Sequence, residues 1–151
     1  MKQKILLFTV FLIIAATGIL ALFGEKVYSY FQSDTIFKDM DSGCDLHANS
    51  CEVIFDSGKS IKLDISKPIK TGENFTLNAY ASGFHDSKLE VVIYGVDMNM
   101  GIFNYTLEKT TDGVYSGIGS LPMCMHGKMS WRVNIISKKD NIGASFTLEL
   151  L

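Results

Sequence analysis

Ser60-Ile61-Lys62-Leu63-Asp64-Ile65 alternates polar and apolar residues without a break. In a β-strand successive side chains point to opposite faces, so Ile61, Leu63 and Ile65 line one side. A helix would scatter them. The strand is preceded by Glu52-Val53-Ile54-Phe55 and the turn signal Asp56-Ser57-Gly58-Lys59. Together these make a hairpin.

Outward from that hairpin the same reading repeats. Pro68 and Gly72 interrupt the pattern, and Asn74 to Tyr80 alternates again. Ser82-Gly83-Phe84-His85-Asp86 is a loop, where an exposed histidine is the default for His85. Leu89 to Asp97 is the longest apolar strand, with Gly95 as a candidate bulge. A strand runs from Ile102 to Leu107, Thr111-Asp112-Gly113 turns, and Val114 to Leu121 follows. Its Tyr115-Ser116-Gly117-Ile118-Gly119 is open enough for close backbone approach. Trp131, Val133 and Ile135 share an inward face that extends to Met129, Asp140-Asn141 turns, and Ser145 to Leu150 ends the series. Nothing after residue 24 has a sustained helical period. Seven to eight short strands joined by turns predict an all-β domain, an immunoglobulin-like β-sandwich with Trp131 in its core.

Upstream, residues 5–23 contain no charged residue. As a helix, 19 residues span roughly 28 Å, close to the hydrocarbon thickness of about 30 Å. Lys2 and Lys4 precede the run, which predicts a cytoplasmic N-terminus. The expected organisation is a cytoplasmic tip (1–4), one transmembrane helix (5–23), a juxtamembrane linker (24–42) and an extracytoplasmic sandwich (43–151). The alternative is a cleaved signal peptide. The run is longer than such a segment needs, and its small residues lie inside it rather than after it.

The chain has 14 Lys and Arg against 16 Asp and Glu. Both basic residues of the first 23 lie before the apolar run, so the remainder is acidic. No basic face for nucleic acid is available. No Gly-rich phosphate loop is present. Outside the cytoplasm, Cys44 and Cys51 read first as a disulfide, closing a loop worth about 2.5 kcal/mol of chain entropy. His47 between them leaves a Cys/His metal site as an alternative, and two free thiols as another.

The chemistry gathers elsewhere. Met123-Cys124-Met125-His126 follows Leu121-Pro122, and Asp97-Met98-Asn99-Met100-Gly101 precedes it upstream. Of seven methionines, five fall between 98 and 129. Soft thioethers with an imidazole suit Cu(I), and Met survives as a ligand where a free thiol oxidises. The expected metal ligands are Met98, Met100, Met123 and Met125, completed by His126 or Cys124. The competing reading is that methionine fills gaps in a core or contacts a partner. No nucleophile has an evident base and orienting group, so the expectation is a non-enzyme.

With these residues in hand, the chain resembles the FixH-like and YtkA-like group of small membrane-anchored bacterial domains. The resemblance rests on Met98-Asn99-Met100, on Gly113-Val114-Tyr115-Ser116-Gly117, and on Met129-Ser130-Trp131-Arg132-Val133. It covers about residues 89–133 and the anchor. The Cys44/Cys51 pair and the 123–126 stretch lie outside the pattern. The resemblance implies one transmembrane helix in the bacterial inner membrane and a periplasmic immunoglobulin-like domain. It also implies a link to copper supply for respiratory oxidases. The expected function is thus Cu(I) storage or delivery to a membrane partner. The alternative is a structural or assembly subunit of an inner-membrane complex.

Overall fold

The computed structural model describes residues 35–122 and 128–150. The anchor expected at 5–23 and the stretch Met123–Gly127 lie outside the described residues. No helix among those described is long and apolar enough to cross a membrane.

The described chain is all β. Its nine strands are β1 (Ile36–Asp39), β2 (Cys51–Ile54), β3 (Ser60–Ile65), β4 (Asn74–Ser82), β5 (Lys88–Gly95), β6 (Ile102–Thr111), β7 (Val114–Ser120), β8 (Met129–Ser137) and β9 (Ile142–Leu150). They form one mixed sheet in the order β1-β9-β8-β5-β6-β7-β4-β3-β2. Every pairing is antiparallel except β1 with β9, which is parallel.

Alternation decides which face is buried. Ile61, Leu63 and Ile65 are buried as their spacing requires, and so are Leu89, Val91 and Ile93 of β5. Trp131, Val133 and Ile135 of β8 face the same core, with Met129 beside them. Full burial of each such aliphatic side chain contributes about 1.5–3 kcal/mol. All strands but β1 feed one contiguous cluster.

The sheet curls so that its two outer ends meet. β2 lies against β9 without pairing to it. Lys38 of β1 holds Asp56 in the β2–β3 turn at 2.6 Å, and Lys59 of that turn holds Asp140 in the β8–β9 turn at 2.8 Å. The connection between β1 and β2 crosses from one end of the strand order to the other. Leu46 anchors it in the core at 1% exposure.

Two features differ from the sequence reading. β1 lies within the stretch expected to be linker, which raises the strand count from seven or eight to nine. All four of its side chains are exposed, so no inward alternation marks it. Gly95 is not a bulge. It ends β5, and the register shift in the sheet lies instead between β6 and β7, at Lys109/Thr111. The expectation of close approach near Gly117 holds: a Cβ there would sit 2.5 Å from the Thr106 carbonyl oxygen.

The connections sort to two ends. The chain enters beside the β8–β9 turn, where Ile36 N–H donates to the Asn141 carbonyl at 3.0 Å. This entry end is locked by buried polar groups. Tyr115 Oη donates to the Asp86 carbonyl at 2.9 Å, and Ser137 Oγ donates to the Asp86 carboxylate at 2.8 Å. Burial pushes the Tyr115 phenol above its usual range, so it stays a donor at neutral pH. Tyr115→Phe is therefore expected to cost about 1–2 kcal/mol, since it strands a buried carbonyl. Urea denaturation of the two proteins measures it. The connections β1–β2, β3–β4, β5–β6 and β7–β8 all lie at the opposite end.

Candidate metal centre

Both methionine-bearing connections leave the sheet at that second end. The reason is register. β5 ends beside the start of β8, with Gly95 opposite Trp131. β6 starts beside the end of β7, where Tyr105 Oη donates to the Ser120 carbonyl. The β5–β6 connection is also latched to the start of β8. Val96 N–H donates to the Ser130 carbonyl at 2.9 Å, and Ser130 N–H donates to Asp97 Oδ2 at 2.8 Å.

Gly95 lets the β5–β6 connection fold down this far. A Cβ there would lie 2.0 Å from Met129 Cε and 2.5 Å from the Met98 carbonyl oxygen. The thioether could swing aside; the backbone oxygen would have to move with its turn. Asn99 Oδ1 then accepts from Gly101 N–H at 3.1 Å, closing the turn, and Gly101 takes a φ of 89° that favours glycine.

The four residues Met123, Cys124, Met125 and His126 lie outside the described residues. The ends of their connection do not. Leu121 is buried and its carbonyl accepts from Gly72 N–H at 2.7 Å. Lys128 is ion-paired with Glu149, whose carboxylate holds the ammonium above its usual pKa. Met98 and Met100 sit in an irregular turn, so strand alternation does not bind them. Met98 is 41% exposed, while Met100 is half-buried against the core. Met98 is thus the most exposed of the described methionines. Met129 is core, as its spacing to Trp131 predicts.

Cys44 and Cys51 form a disulfide, with sulfurs 2.00 Å apart. That removes both as thiolate ligands, and with them the Cys/His alternative. His47 turns away from the pair and donates from Nε2 to the Glu149 carbonyl. His85 is exposed, as its loop position implied. Among the described residues, no three His, Cys, Asp or Glu side chains converge as a metal site.

Sequence reasoning missed a groove of about 1090 Å³ at this same end, between β9 and the β1–β2 connection. Of its lining, only the histidine between two cysteines stood out in the sequence, and nothing there told which way it faces.

Compared with protein-family models, with curated proteins and with solved structures, the chain matches none.

Proposed function

We propose that this chain is a membrane-anchored copper protein of the bacterial inner membrane. In this reading residues 5–23 anchor a periplasmic, immunoglobulin-like sandwich. Met98, Met100, Met123 and Met125, with His126 or Cys124, bind Cu(I) at the end away from chain entry. The protein stores the ion or hands it to a membrane partner such as a respiratory oxidase. Thioether ligation suits transfer, because soft, neutral donors hold Cu(I) without trapping it.

One observation carries the reading: Val96 and Asp97, next to Met98, are bonded to Ser130 at the start of β8, so the β5–β6 connection lies beside the point where the chain rejoins the sheet after residue 127. A second reading has its own support. Val96 is 53% and Ile102 68% exposed beside Met98, an apolar hairpin tip that suits a contact surface of an assembly subunit.

Titration of the full-length protein in detergent with Cu(I), kept reduced by ascorbate, tests the proposal against a competing chelator. One equivalent is expected to bind. Changing Met98, Met100, Met123 and Met125 together to Leu is expected to weaken binding by about a hundredfold or more. Each swap conserves volume, so the melting temperature should move little. No detectable binding by the parent protein would sink the copper reading and leave the assembly reading standing.

A further inference from the structure

The parallel ladder between β1 and β9 stops halfway along β9. β1 pairs with β9 only from Ile142 to Ser145. Its last bond is Met40 N–H to the Ser145 carbonyl at 2.9 Å. Then the chain turns away, and β9 runs on to Leu150 with no strand paired on that side among the described residues.

The backbone groups on this stretch have a fixed direction. Asn141 and Ser145 both accept from β1, so the odd-numbered residues of β9 present their amides to that edge. Thr147 and Glu149 follow by alternation. Glu149 bears this out, because its carbonyl accepts from His47 Nε2 across the gap. The N–H and C=O of Thr147 have no partner on that edge among the described residues. An open ladder edge is a template for another strand.

The edge borders the groove of about 1090 Å³, whose far wall is the β1–β2 connection. That wall is braced. Cys44 is bonded to Cys51 of β2, Leu46 is buried in the core, and Lys67 Nζ donates to the Ala48 carbonyl at 2.7 Å. A preformed slot loses less ordering entropy on binding than a floppy one.

We propose that this slot binds an extended polypeptide segment of a partner protein, which adds to β9 in line with β1. The spacing of donors and acceptors on the edge selects the class of ligand. Only a polypeptide in strand conformation presents N–H and C=O groups at the same repeat. The two sides of the slot select its pattern. Towards the core it meets Met40, Ile69 and Leu150; towards solvent it meets Thr147 and the charged Arg132 and Lys128. The segment therefore alternates apolar and polar residues over about four or five positions, the length of the open edge. His47 occupies part of the edge in the free protein and leaves when the strand enters. The site needs no metal and stands apart from the copper reading.

The test uses the full-length protein in detergent and the blocked pentapeptide acetyl-Thr-Val-Thr-Val-Thr-amide. Binding is expected to slow amide hydrogen exchange at Thr147 and Glu149. Two changes should each weaken it at least tenfold. One is Thr147→Pro, which deletes the free N–H and costs no bond within the sheet. The other is N-methylation of alternate peptide residues, which leaves the protein untouched and so holds even if the proline variant misfolds. His47→Ala, which frees the Glu149 carbonyl, should tighten binding severalfold. The proposal is overturned by any of three results: no binding, equal binding of the methylated peptide, or protection appearing at Phe37 and Asp39 on the outer edge of β1 instead.

Discussion

Trp131→Ala is expected to lower the stability of the domain by about 3–5 kcal/mol, the range for deleting a fully buried large aromatic. For a domain of this size that corresponds to a fall of about 12–25 °C or more in melting temperature. The indole is 0% exposed. It lies between Gly95 on β5 and Leu148 on β9 in the sheet register. Gly95 offers no side chain of its own, so on that side only the Met129 thioether, whose Cε lies over it, can move into the space. Phe103 meets the indole edge-on at 6.1 Å between centroids, an arrangement that contributes beyond buried area. Trp131→Phe separates two contributions. Nε1 is buried with no hydrogen-bond partner among the described residues. Removing it relieves an unmet donor while most of the ring contact remains. The phenylalanine variant should therefore lose only about 1–2 kcal/mol, well below the usual large-to-small cost. Equal losses for alanine and phenylalanine in chemical denaturation would show that Nε1 has a partner after all.

The second large effect is expected from the disulfide. Changing Cys44 and Cys51 together to Ala should cost about 2–5 kcal/mol, with about 2.5 kcal/mol of it from loop entropy alone. The rest reflects where the loop lies. Residues 40–50 carry Leu46 into the core and His47 onto β9, so a loosened loop releases contacts at both outer ends of the sheet. Denaturation with and without dithiothreitol checks this. The reductant should destabilise the parent protein and leave the double variant unchanged. An equal response of both proteins would place the reducible bond elsewhere.

Most strands were legible because one face of each is buried. Ser60–Ile65 matches its sequence limits, and the others differ by a few residues at their ends. Periodicity reports burial, so it failed where burial is absent. β1 is exposed along its whole length and holds its place by backbone pairing, ion pairs and the ring of Phe37 over Gly143, where a Cβ would lie 2.4 Å from that ring. The cysteine pairing was legible from spacing and the expected compartment. The direction of His47 was not, since its partner is a backbone carbonyl 102 residues away. For the methionines, sequence could place Met129 in the core by its offset from Trp131. It could not tell Met98 from Met100. Their difference comes from the turn that Gly95 and Gly101 permit, and not from alternation.

The position of β9 has a consequence for synthesis. The last of the nine described strands sits between β8 and the first of them, with Ile36 paired to Ile142. Closing a loop of that length costs about 4 kcal/mol of chain entropy before any contact forms. A chain emerging residue by residue can zip the antiparallel hairpins early. It cannot seat β1, complete the core beside Trp131 or fill the gap next to β8 until residues 142–150 have emerged. The domain therefore finishes folding only once residues 142–150 have been made, and a nascent chain stalled before residue 142 leaves β8 as a bare, apolar edge.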